Sequence, residues 1–412
     1  MLKVMSALFL PALIMTGCSS LPNSADVISN SPKHPVLTHS ESQRFDVANY
    51  FTIAGRDSWQ PQPIMRAATP YVVGASNAPY QSVQSAVNAA LAADTQQPIA
   101  IKVLPGRYVG TIYIPQSAPP LTIYGAGNKP QDVVLSLAID SMISPAQYRQ
   151  LVNQSGRYQA GDPAWGMYHV CASLTHKNIA TTCSAVLWSQ SDRFALANLT
   201  VENSLLDSTG PGTHQGVALR TDGDKVRLNQ VRLIGRQDTF FVNNADVDNR
   251  YNTQRQSRVY IKDSFIAGDV DYVFGRAHAV FDQVEFQSVS SRGASSAYVF
   301  APNTMSHWRY GFLVINSHFS CNQATKGFQP KLGRAWDQGA SHTGYRPGHT
   351  ANGQLLIMRS HIDRCYDLQQ PWGSAATTNR PFRGNASAGR DLNDLNYNRL
   401  WLYDNQLVST KK

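Results

Sequence analysis

Between residues 195 and 365 a short pattern recurs in which a polar residue and two variable residues precede a large apolar one. The copies are Asn198–Val201, Gln230–Leu233, Asp263–Ile266, Gln283–Phe286, Asn316–Phe319 and Arg359–Ile362, at intervals of 32, 33, 20, 33 and 43 residues. Each lies in a β-branched stretch that alternates apolar and polar side chains, which predicts a strand. A shortest step near 20 residues, lengthened elsewhere by loop insertions, fits the coils of a right-handed parallel β-helix better than a sandwich. Ala100–Leu104, Thr111–Ile114 and Leu121–Tyr124 are expected to supply its first coils. Ser82–Ala93 carries Val83, Val87, Ala90 and Leu91 on one face and predicts a helix that caps the open N-terminal edge.

The same register brings candidate chemistry together. Asp238 lies eight residues after Gln230, and Asp271 lies eight after Asp263. If those repeat positions stack, so do the two aspartates, on strands about 4.8 Å apart. Carboxylates that close do not both ionise easily, so one is expected to hold a proton at neutral pH. Structural carboxylates on stacked turns are the alternative, but like charges there are costly, which favours an active-site role. Asp269 shares a strand face with Asp271 and is a second candidate for the charged member.

Composition narrows the setting. With 42% hydrophobic and 15% charged residues, the chain can bury a long core, and a solenoid grows without splitting into domains. Lys3, the apolar run Val4–Ile14 and the small residues before Cys18 predict a secretion signal too short to span a bilayer. The expected organisation is therefore a signal at 1–17, a lipidated Cys18 opening a flexible tether over 18–45, and one β-helix domain over 46–412. Net charge is +9, and removal of 1–17 takes Lys3 with it, leaving +9 − 1 = +8. A basic surface suits an acidic polymer or an anionic membrane. Nucleic acid is disfavoured by export and by the absence of a Lys/Arg run. Four cysteines remain after Cys18, which allows three disulfide connectivities. The favoured pairs are Cys171–Cys183 and Cys321–Cys365, since the latter two follow the last repeats at nearly matching offsets. No Cys/His spacing resembles a zinc site, and Asp222-Gly-Asp224 is expected to be a turn rather than a calcium site.

Five blocks then resemble one family in order: Gln215–Leu219, Gly235–Thr239, Asp271–Gly275, Gly311–Asn316 and Leu332–Trp336. The chain is similar through them to the pectin methylesterases, carbohydrate esterases built on a pectin lyase-like β-helix, with matching stretches from Val72 to Trp401. The Cys18 region, the insertion near 137–185 and Leu392–Trp401 make it most similar to an outer-membrane lipoprotein branch of Gram-negative bacteria.

The resemblance implies Asp271 as nucleophile on the methyl-ester carbonyl and Asp238 as acid and then base. It implies Gln215 and Gln237 as oxyanion donors, Arg334 as the group that keeps Asp271 ionised, and Trp336, Phe274, Phe241 and Val270 as substrate contacts. The alignment selects Asp271 over Asp269. No metal or cofactor is implied, and the expected partners are methylated pectin or oligogalacturonide and, through the anchor, a membrane, with the protein a monomer.

Three departures stand out. Ala335 replaces the usual proline and is expected to loosen its turn, Phe241 replaces a tyrosine, and Gly106–Gly110 lacks the family's glutamate. Phe240, Tyr272, Trp308 and Tyr310 are further aromatic candidates for a sugar groove, about half of them expected in the core by strand alternation. His214 is expected beside the site rather than as a base. Competing functions are an esterase or thioesterase on another acyl group and a non-catalytic binder of acidic polysaccharide. A β-helix lyase would need a calcium-binding acidic cluster that the sequence does not offer.

Overall fold

The computed structural model describes residues 29–53, 57–65, 70–93, 96–294, 296–322 and 327–408. The expected signal, Cys18 and the first part of the expected tether lie outside the described residues.

The repeat forms the expected right-handed parallel β-helix. Each polar repeat residue is a corner: Asn198, Gln230, Asp263, Gln283, Asn316 and Arg359 all have φ between +49° and +57°. One left-handed residue bends the strand sharply, so the flanking segments join two faces of the coil. Pairing follows the sequence intervals, with Leu199 opposite Val231, Phe265 opposite Glu285 and His318 opposite His361. A seventh corner at Asp404, φ +49°, heads Asp404–Leu407 and was not recognised in the sequence. Its strand pairs Gln406 with His361, a step of 45 residues.

Inside the coil, stacking converts the repeat into a core. Phe286 lies on Phe319 at 5.0 Å and 18°, and Phe281, Phe300 and Phe312 pack edge-on around them. All five are fully buried. The third face is a 7-stranded parallel sheet of short strands. In chain order these are Ile112–Ile114, Leu187–Ser189, Leu219–Thr221, Phe240–Val242, Val273–Gly275, Tyr298–Pro302 and Lys331–Gly333.

Helix Val83–Ala92 closes the N-terminal end as expected. Ser82 accepts the Ser85 N–H at its start, and Val83, Ala86, Val87 and Ala90 are buried against the first coils. The insertion between strands Val133–Leu137 and Leu187–Ser189 carries helices Pro145–Asn153 and Trp165–Ala172. Both favoured disulfides are present, with Cα–Cα distances of 5.8 Å for Cys171–Cys183 and 6.5 Å for Cys321–Cys365.

A flexible tether reaching residue 45 is corrected by the described segment 29–45. Val36 pairs in parallel with Leu402, and Leu37 and Phe45 are buried with Tyr50 and Phe51 against Leu313, Leu356 and Trp401. The outer face of these last coils is apolar, and the N-terminal arm covers it. The polar composition of residues 19–45 hid these few anchoring side chains.

Candidate active site

Strands Phe240–Val242 and Val273–Gly275 pair Phe240 with Val273, an offset of 33 residues. The same offset carries Asp238 onto Asp271, so the two aspartates stack as the sequence register required. The Asp238 N–H donates to the Val270 carbonyl at 3.0 Å and locks the rung. Both aspartates are themselves left-handed corners, with φ +66° and +50°, and both are about nine-tenths buried. That conformation costs an L-residue of this kind on the order of 1–2 kcal/mol. Such strain persists only where the surrounding pairing enforces it.

Their partners differ. Arg334 grips Asp271 with two hydrogen bonds, Nε to Oδ1 at 2.8 Å and Nη2 to Oδ2 at 2.6 Å. The Tyr298 ring lies under the guanidinium at 4.2 Å, one rung beyond Asp271. Burial first, and then the neighbouring Asp271 charge, push the Asp238 carboxyl well above the usual carboxylate range, with Arg334 opposing. A carboxyl pushed toward its neutral form therefore stands beside a carboxylate clamped by a cation, a pairing suited to nucleophilic attack with proton donation to the leaving group. Asp269 is occupied elsewhere: its buried carboxylate takes Nε and Nη2 of Arg292 at 2.7 and 2.9 Å.

Gln215 and Gln237 border the same cleft, whose volume is about 350 Å³. Gln215 Oε1 accepts from the Ser141 hydroxyl at 2.6 Å, so the NH2 is the end of the amide left to serve the cleft that Gln215 lines. Gln237 Oε1 is buried without a donor. Two amides from different rungs thus flank the carboxylate pair.

The cleft floor is aromatic. Phe241 stacks on Phe274 at 4.3 Å and 9°, and Trp336 leans on Phe274 at 5.8 Å. Beneath Phe241 the fully buried Arg220 is sandwiched against Trp188, 4.2 Å from its ring centre, and pairs with Asp222 at 3.0 Å. Val270 does not line the cleft and contributes its backbone carbonyl to Asp238 instead. Phe240 and Tyr272 point into the core. Trp308 packs on His278, and Tyr310 packs on Phe45 and Tyr50 of the N-terminal arm. The Ala335 turn is held rather than loose: Ala376 N–H donates to the Ala335 carbonyl at 2.8 Å and Trp336 N–H to Pro302 at 3.0 Å. Asp222 and Asp224 are consumed by Trp188, Asn243, Arg220 and Arg258, as a structural turn requires. His214 pairs with Asp140 at 2.6 Å, beside the site.

Sequence reasoning missed the walls. Ala180, Thr181 and Thr182 of the insertion close one side, and Tyr251 and Ala376 come from loops elsewhere. These residues carry no periodic or motif signal; only the folded loops bring them to the cleft.

Comparison with known proteins agrees with this geometry. The Pectinesterase family model matches residues 166–343. Pectinesterase B of Dickeya dadantii (strain 3937) is 55% identical over 96% of this chain and 96% of its own. The Escherichia coli (strain K12) protein named "Putative acyl-CoA thioester hydrolase YbhC" is 42% identical over 96% of this chain and 94% of its own. The crystal structure of that protein superposes with a TM-score of 0.87 over 93% of this chain and 98% of the other. The structure of rice weevil pectin methyl esterase follows at a TM-score of 0.84 and 36% identity, covering 93% of this chain and 99% of that one.

Proposed function

The chain belongs to the pectinesterase family of carboxylic ester hydrolases, and from that premise we propose that it removes methyl groups from galacturonosyl esters of pectin or methylated oligogalacturonides. In this reading an Asp271 carboxylate oxygen attacks the ester carbonyl, forming a tetrahedral oxyanion that the NH2 groups of Gln215 and Gln237 stabilise. Collapse breaks the bond to the methoxy oxygen. Asp238 delivers its proton to that oxygen, methanol leaves, and an acyl–Asp271 anhydride remains. Water then attacks the acyl carbon, Asp238 takes one of its protons, and Asp271 is freed with a galacturonic acid carboxyl, which loses the remaining proton to solvent.

One observation carries the assignment: of two stacked carboxylates, Arg334 clamps only Asp271, while Asp238 is driven toward its neutral form. A shared environment that splits two equal acids this way sets their roles. Neutral amides suit an oxyanion because they do not compete with the arginine for Asp271.

A second reading is an esterase or thioesterase for another acyl group. It is favoured by the 42% identity to a protein whose name carries thioester hydrolysis and by the apolar cleft floor. A single comparison tests both. Methanol release from methylated oligogalacturonide and cleavage of a fatty acyl thioester are measured for wild type and Asp271→Ala. Loss of methanol release in the variant is expected. Undiminished release rejects the nucleophile, and turnover of the thioester alone selects the second reading.

We further infer that Cys18 is lipidated and that the enzyme is an outer-membrane lipoprotein. The support is the small-residue run before Cys18, with Ser19 after it. Metabolic labelling with an alkyne fatty acid should mark the wild type and not Cys18→Ser. Equal labelling rejects the anchor.

A further inference from the structure

Ser141 lies in the insertion, 74 residues before Gln215, and is 1% exposed. Its hydroxyl donates to Gln215 Oε1 at 2.6 Å, with the Thr213 carbonyl farther away at 3.1 Å. Its Oγ accepts the Gln215 N–H at 3.3 Å, and its own N–H donates to the Gln215 carbonyl at 2.9 Å. The preceding Asp140 holds His214 at 2.6 Å. The insertion thus grips both the backbone and the side chain of the short segment that carries Gln215. The same insertion returns through Ala180, whose N–H donates to the Ser141 carbonyl at 3.0 Å, before it walls the cleft.

An amide has two nearly isosteric ends with opposite electrostatic character. With Oε1 engaged by a hydroxyl, the NH2 is the end left to serve the cleft. Reversal would aim a carbonyl dipole at the position where negative charge develops. We propose that Ser141 is a positioning residue for the reaction: it fixes the polarity of the Gln215 amide, so the insertion is part of the oxyanion apparatus as well as a wall. The inference rests on the oxyanion role assigned to Gln215 above.

The effect belongs to the transition state, because an uncharged ester carbonyl gains little from the donor that its oxyanion gains much from. Ser141→Ala is therefore expected to lower kcat about tenfold while KM changes less than about twofold, on the scale of one hydrogen bond. Ser141→Thr, which keeps the hydroxyl, should recover most of the rate. The discriminating measurement is a double-mutant cycle on methanol release from methylated oligogalacturonide. In a Gln215→Ala background, Ser141→Ala should cost nothing further. An equal loss with and without Gln215, or an unchanged kcat in Ser141→Ala alone, overturns the proposal while leaving the wider mechanism intact. An unchanged kcat in Gln215→Ala overturns the oxyanion assignment itself, and the proposal with it.

Discussion

The coil uses one backbone device in two places with opposite results. At the repeat corners, Asn198 to Arg359, a single left-handed residue turns the strand, and its side chain is exposed or serves the neighbouring turn. Asn198 Nδ2, for example, donates to the Gly125 and Gly127 carbonyls at 3.1 and 2.7 Å. At Asp238 and Asp271 the same left-handed turn presents its side chain into a cleft walled by loops. The first set is exposed or only partly buried and, as at Asn198 and Asn316, bonds to acceptors on the neighbouring turn. The second set is buried, so its electrostatics are settled by one arginine and by each other. Backbone conformation alone therefore does not make a site; burial at a corner does.

The sharpest way to break this contrast is Asp238→Asn. The amide cannot give a proton to the leaving alkoxide or take one from water, so kcat should fall about a hundredfold or more. Stability should move the other way. The Asp238 carboxyl is raised when folded, so the folded state holds its proton more tightly than the unfolded state. Its contribution is then fully present below the unfolded pKa and is lost as pH rises through the folded pKa. An uncharged asparagine escapes that loss, and its melting temperature should exceed that of wild type increasingly toward alkaline pH. A variant that is equally active, or less stable at alkaline pH, contradicts the picture of a neutral buried acid. On the wild type, kcat/KM should decline as pH rises through the same ionisation.

Next in size is a structural corner. Asn198→Ala loses two hydrogen bonds and puts in the left-handed region a residue that tolerates it less well than asparagine, a cost of about 2–3 kcal/mol. Urea unfolding should register this, with kcat unchanged at temperatures where the variant is folded. A large loss of kcat would remove the distinction between the two kinds of corner. The smallest effect is expected at Asp263→Asn, the exposed corner eight residues before Asp271. It should leave both kcat and stability within about 0.5 kcal/mol of wild type, and the same assays check it.

The sequence reading reached far along the coil because a solenoid is quasi-one-dimensional. Each turn contacts only its neighbours, so intervals between local patterns translate directly into pairing. The offset of 33 residues between Asp238 and Asp271 is the offset of Phe240 and Val273 in the sheet. The capping helix and the Cys321–Cys365 disulfide were legible for related reasons, one from its apolar face and the other from matching offsets after paired strands. The N-terminal arm was not, because Val36, Leu37 and Phe45, scattered within the polar stretch 19–45, leave no period. Asp404 was overlooked because the strand it heads, Gln406–Val408, is short and only partly buried, which leaves almost no alternation to read.

What the chain alone determined is thus the coil, its register and the stacking of two carboxylates, all products of short-range periodicity and strand pairing. Only the tertiary structure makes the clamp itself, which the family resemblance implied, with Arg334 gripping Asp271 through two hydrogen bonds from two rungs and 63 residues away. It also decided how the Gln215 amide is turned, through Ser141, and what encloses the cleft, through the insertion and Tyr251. Those outcomes depend on where irregular loops come to rest against the coil. Loop placement is set by packing between distant segments rather than by any local repeat.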